Sequence, residues 1–167
     1  MTTSRAIIGL SLLGFADALY MLAYHEGWID RMWCPFFGDG CEVVARSPGA
    51  RHAGVPNAAA GAAAYAGMAA LAAIDARVRN GRTPGRGTGA DAATLPALGL
   101  AGISTAAVAA SAALTWEMGT RVRAWCFWCL MSAGINAALC ALAWRNVSDA
   151  VREDGVRRTQ KEAVTCG

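Results

Sequence analysis

Residues 123–144 read RAWCFWCLMSAGINAALCALAW, a Cys-x-x-Cys pair set at the edge of a long apolar run. Two close cysteines at this spacing point to redox exchange or to a metal. An apolar run of this length points to a membrane, because about 20 residues of helix cross a hydrocarbon core of about 30 Å. The fold therefore turns on whether the rest of the chain supplies partner helices, and whether it supplies partner thiols.

Partner helices are there. Apolar stretches cover residues 6–24, 55–74, 95–116 and 125–144, the first interrupted by Asp17. Separate segments of this length in lipid must be helical, since every backbone group has to be satisfied internally. The abundant Ala and Gly allow such helices to pack closely. With 55% hydrophobic and 16% charged residues, the 167-residue chain is too apolar for an ordinary soluble domain. The expected fold is all-α: an integral membrane four-helix bundle with an outer capping loop. Residues 1–147 form the expected catalytic domain, and residues 148–167 a polar cytoplasmic tail, expected to be partly disordered.

The connections differ in character. The first, His25 to Gly54, contains Cys34 and Cys41 in the stretch CPFFGDGC, where Pro35, Gly38 and Gly40 permit tight turning. Phe36 and Phe37 in that stretch either press the loop onto the bundle or are plain loop hydrophobes. The second, Asp75 to Thr94, is rich in Arg, Gly and Thr and reads as a flexible loop. The third, Glu117 to Ala124, is a tight link.

Positive charge sets the orientation. Ten of the fifteen Lys and Arg residues fall on the side of the N-terminus, the second connection and the tail; five fall on the other. The first side is expected to be cytoplasmic, which puts both cysteine pairs on the periplasmic or extracellular face of an inner (plasma) membrane. Trp28, Trp33, Trp116, Trp125 and Trp128 mark the outer interface and Trp144 the inner one. A cleavable signal peptide over the first stretch, with ADA at 16–18, is the alternative reading. The arginines lie in short connections, not along one face, so no nucleic-acid partner is expected.

Cys126 and Cys129 open the fourth helix, where unpaired N–H groups and the helix dipole favour a thiolate. A thiolate is the species that exchanges disulfides. Alternatives are a zinc tetrathiolate of Cys34, Cys41, Cys126 and Cys129, disfavoured by the six residues between the first two, and a pair of purely structural disulfides. No metal is expected. Re-oxidising a strong thiol oxidant at about −120 mV with an ordinary disulfide near −300 mV is uphill by roughly 8 kcal/mol for two electrons. A lipid-soluble quinone is the natural downstream acceptor.

The loop pair Cys34 and Cys41, Ser47 six residues later, GVPNAAAGAAAY at 54–65 and Cys126-x-x-Cys129 together resemble the bacterial homologues of vitamin K epoxide reductase. These share their logic with DsbB-type disulfide-forming membrane oxidases. The resemblance covers residues 6–145. It implies a helix bundle around a quinone (menaquinone or ubiquinone) and a separate extracytoplasmic thioredoxin-fold (DsbA-like) partner. It also implies roles: Cys34 receives electrons, Cys41 exchanges with Cys126, and Cys129 delivers to the quinone. Asn57 matches the family's quinone-bonding Asn, and is otherwise a helix-start residue after Pro56. Ser47 is a hydrogen-bonding group near the loop or a plain cap before Pro48. Ala133 stands where vertebrate members have a quinone-bonding Tyr, which argues against epoxide reduction and leaves quinone reduction untouched. A quinone or quinone-epoxide reductase for a small substrate, and a non-catalytic stapled membrane protein, remain the alternatives.

Three residues stand apart. Cys140 lies about 16 Å along the helix from Cys129, out of disulfide reach. Cys166 lies in the tail. Asp17 is an ionisable residue inside a span and so a functional candidate by default, with a neutral or paired carboxyl as the plainer reading.

Overall fold

A computed structural model describes residues 2–79 and 91–165. The chain order is α1 (Thr2–His25), a short α2 (Gly40–Ala45), a 3₁₀ turn (Pro48–Ala50), strands β1 (Arg51–His52) and β2 (Val55–Pro56), then α3 (Asn57–Arg79), α4 (Asp91–Glu117), a π turn (Met118–Val122) and α5 (Phe127–Thr165). Four segments are long and apolar enough to cross a membrane: Thr3–His25, Asn57–Arg79, Leu95–Val122 and Phe127–Glu153. The protein is an all-α membrane helical bundle. Helix α1 packs on α3 and α5, and α4 packs on the same two, so the four helices close a ring.

The core of that ring is built from small and medium side chains. Ala18, Ala62, Ala72, Ala97, Ala101 and Ala143 are buried among Tyr65, Met68, Leu100 and Leu139. Small residues let helices approach closely where the bilayer supplies no hydrophobic drive between them. Gly14 is one such contact: a Cβ there would run into the Tyr65 ring.

The helix ends depart from the sequence reading. The second span starts at Asn57, because Val55 and Pro56 belong to a two-stranded hairpin with Arg51 paired to Pro56 and His52 to Val55. Ala53 and Gly54 both carry positive φ, 51° and 83°, as a two-residue hairpin turn of this hand requires. Pro56 biases the residue before it away from helix. At the other end of α3, Asp75 is not in a loop but fully buried. Both its oxygens accept from Arg79 Nε at 3.1 Å, and Oδ2 also accepts from Asn146 Nδ2 at 3.1 Å. Arg79 reaches on to the Asn146 carbonyl and to Glu153. This network ties α3 to α5 past Trp144, and the segment expected to be disordered continues α5 to Thr165. Extending an existing helix avoids the cost of nucleation. Arg82, Arg86 and Cys166 lie outside the described residues.

Candidate functional site

The loop between α1 and α3 folds back over one end of the bundle and is held there by named bonds. The Trp33 N–H donates to Tyr20 Oη at 2.9 Å, and Trp128 Nε1 donates to the Trp33 carbonyl at 2.7 Å. Arg46 Nε donates to Tyr24 Oη at 2.8 Å, while Glu42 accepts from Arg46 and from the Met32 N–H. Tyr20 and Trp33 both contact the Trp128 ring, at centroid distances of 4.8 and 6.3 Å.

Within this cap, Cys34 and Cys41 form a disulfide with a Cα–Cα distance of 5.7 Å. A disulfided pair offers no thiolate to a shared metal site. Among the described residues no group of three or more His, Cys, Asp or Glu is placed to hold a metal. The loop it closes turns through positive φ at Phe36 and Gly38. Phe36 does not press into the bundle; it stands 87% exposed, with its ring beside Phe127.

The second pair meets the first at the start of α5. Cys126 is not inside the helix but caps it. Its carbonyl accepts the first intrahelical bond, from Leu130, and its Sγ accepts the Cys129 N–H at 3.3 Å. This is the N-cap pattern, in which a side-chain acceptor three residues back satisfies an orphan amide; here the acceptor is sulfur. The Cys126 thiol is held below the ordinary thiol range, chiefly by a hydrogen bond from the Cys129 side chain, with help from the Cys129 and Trp128 amides and against the effect of burial. Cys41 and Cys126 are both fully buried and belong to one cluster with Met32, Val44, Ala45 and Met118, against which Cys34 and Cys129 also pack.

Close approach of the two pairs depends on Gly40. A Cβ there would collide with the carbonyl oxygen of Trp125, the residue before Cys126. The Cys41-bearing helix thus starts in direct contact with the backbone that carries Cys126.

Beside Cys129 lies a narrow cavity of about 60 Å³, walled by Met21, His25, Val44, Leu114 and Met118 and reached by Ser47 and Asn57. Cys129, Ser47 and Asn57, the three residues expected to contact a cofactor, therefore line one space. Their bonding differs. Ser47 spends its single proton on the Val44 carbonyl at 2.7 Å, so it has only lone pairs to offer. Asn57 gives one N–H to the Gly49 carbonyl at 2.7 Å and pairs its Oδ1 with His52 Nδ1 at 2.9 Å, which leaves its second N–H for a ligand. A space this small admits the leading edge of a flat ring; a larger group needs the Ser47–Ala50 segment to yield, since ligand pockets commonly run to several hundred Å³. The lining fits a quinone: mostly apolar walls, one amide donor and one thiol, with the His25 ring and the Glu117 carboxylate also on the wall.

The site also contains residues that the sequence reading did not enlist. Tyr65 Oη is hydrogen-bonded to Ser132 Oγ at 2.7 Å, one helical turn beyond Cys129. Gly49 sits against the Glu117 carboxylate, too close for any Cβ.

A membrane helix bundle with a disulfide in its cap, a second cysteine pair at a helix start beneath it and an apolar cavity alongside defines a class: membrane-embedded thiol redox proteins. The chain matches the Vitamin K epoxide reductase family, VKOR, over residues 5–144, and belongs to that family. Membership makes it a membrane oxidoreductase of thiol and quinone redox chemistry, in a family whose members use quinones. A comparison with curated proteins gives no match.

Proposed function

We propose that the protein is a thiol:quinone oxidoreductase that re-oxidises a separate extracytoplasmic thioredoxin-fold protein and so supports disulfide formation. The observation that carries this reading is the burial of Cys41 and Cys126 in one cluster, with Cys129 reaching the adjoining cavity.

The relay runs through four sulfurs. A thiolate of the partner attacks Cys34, the more accessible sulfur of the loop disulfide, and the partner leaves oxidised. The freed Cys41 thiolate attacks Cys126 of a Cys126–Cys129 disulfide. Completion of that exchange re-forms Cys34–Cys41 and leaves Cys126 and Cys129 reduced. A quinone, when bound, supplies the two-electron acceptor. Asn57 offers its second N–H to the ring beside Cys129. Re-formation of Cys126–Cys129 returns the site to its start. Menaquinone and ubiquinone are both acceptable ring types here. The excess of Lys and Arg on the opposite side supports an outward-facing site in the inner (plasma) membrane.

The test is turnover of purified protein with a reduced dithiol and quinone. Cys126→Ala and Cys129→Ala are each expected to abolish quinone reduction. Retained turnover in either variant refutes the relay.

A further inference from the structure

Asp17 lies in the middle of α1, 4% exposed, and neither carboxylate oxygen has a hydrogen-bond partner among the described residues. No basic side chain pairs with it among the described residues. Ionisable residues inside membrane spans are costly and mark functional positions. Asp75, the other buried carboxylate, shows the contrast: it is matched by Arg79 and Asn146 and explains itself as a helix tie.

The surroundings of Asp17 point to the redox site. It is one helical turn from Met21 and two from His25, both on the cavity wall. From α5, Ser132 lies one helical turn beyond Cys129. From α3, the Tyr65 ring packs against Gly14, one turn before Asp17, and its hydroxyl is bonded to the same Ser132. The unpartnered carboxyl, the bonded hydroxyl pair and the Cys126/Cys129 pair thus follow one another inside the bundle, each a helical turn or a packing contact from the next.

We propose that Asp17 is the proton carrier of the site, taking the proton that leaves the Cys126/Cys129 pair and returning it to the ring bound beside Cys129. The inference rests on the thiol:quinone reading. Two-electron reduction of a quinone to a hydroquinone takes up two protons. Forming the Cys126–Cys129 bond releases two electrons and breaks the remaining S–H bonds. When Cys126 is already a thiolate, the pair holds one proton only, on Cys129. The other is then on Asp17, which gives it up as the electrons leave and is refilled by the next thiol to deprotonate at Cys126. Electrons and protons balance over a turn, with the quinone as the only oxidant and Asp17 unchanged. Ser132 and Tyr65, bonded to each other across α3 and α5, act as positioning residues that shape the space around the carboxyl.

The test compares unmodified protein with Asp17→Asn, Asp17→Glu and Ser132→Ala, in two measurements. The first is a single turnover of fully reduced protein with a short-chain benzoquinone. The Asn variant is expected to slow by about 10²-fold, the lower range for loss of a general acid or base, with partial recovery in the Glu variant. The second needs no quinone: the pH profile of alkylation at Cys129, read by mass spectrometry. Coupling to a nearby carboxyl adds a step to that profile, and the Asn variant is expected to lose it while the Glu variant keeps it. A superimposable profile together with unchanged single turnover overturns the proposal. Should the Asn variant fail to fold, Ser132→Ala decides by the same two readings, with a smaller slowing and a displaced step expected and no change in either overturning it. Absence of quinone reduction by the unmodified protein refutes the functional reading instead, and is thereby distinguished from a failure at Asp17.

Discussion

Gly40→Ala sets two effects of opposite sign against each other. Gly40 is the first residue of α2 and has no positive φ. Ala there favours the helix by about 0.5–1 kcal/mol on propensity alone. The added Cβ, however, meets the Trp125 carbonyl oxygen, and relieving that contact takes a shift of roughly 1 Å. Trp125 has little freedom to retreat, since Arg123 is held at φ 53° and Cys126 is fixed as the helix cap. The shift therefore falls on α2 and carries Cys41 away from Cys126. Disulfide geometry tolerates a Cα–Cα range of only about 4.4–6.8 Å, and a misplacement of about 1 Å at reacting atoms can cost about 10²-fold in rate. We expect transfer between Cys41 and Cys126 to slow by about that factor, with the small propensity gain outweighed by the cost of moving backbone. The assay replaces Cys34, Cys129, Cys140 and Cys166 by Ser and follows formation of the Cys41–Cys126 disulfide under mild oxidation, with and without Gly40→Ala. An unchanged rate refutes the claim that this glycine sets the distance between the pairs.

Arg79→Ala removes the partner of a buried carboxylate, Asp75, whose side chain is 1% exposed. A loss of about 3 kcal/mol is expected, read as a lowered midpoint in detergent unfolding, with quinone reduction intact in the folded fraction; an unmoved midpoint contradicts the reading of this network as a tie. Alkylation of Cys126 is expected to persist as pH drops below the ordinary thiol value of about 8.5, because its lowered pKa keeps the thiolate populated until pH falls through that value. Cys129→Ala removes the largest cause and should move the profile to higher pH; no movement counts against the hydrogen bond. After reduction of intact cells, a membrane-impermeant thiol reagent should reach Cys34 from outside, and labelling only after permeabilisation would reverse the proposed orientation.

The spans were legible because length and apolar content speak directly to a bilayer, and the cysteine spacings announced the chemistry. The helix ends were less so. Val55 and Pro56 read as the start of a span, yet the loop before them turns back through Ala53 and Gly54 into a hairpin. Asp75 and Arg79 read as loop charges, although their i,i+4 spacing was a visible sign of continued helix; Asn146, which completes the network, comes from 71 residues away and leaves no local trace. Cys126 and Cys129 were both expected to open the fourth helix, whereas Cys126 turned out to be its cap, because the π turn and the left-handed Arg123 end one helix just before the next begins. Ser47 and Asn57 were singled out from sequence, but only the bonds they make separate a hydroxyl with its proton spent from an amide with one to spare. The contact of Gly40 with Trp125 exists only in three dimensions.

The central claim is that electrons leave through Cys126 and Cys129. Purified protein with the loop disulfide closed and these two thiols reduced is mixed anaerobically with quinone while hydroquinone and free thiols are counted together. The account predicts that both thiols disappear for each hydroquinone formed, with Cys140 unchanged. Hydroquinone formed while Cys126 and Cys129 stay reduced would contradict it.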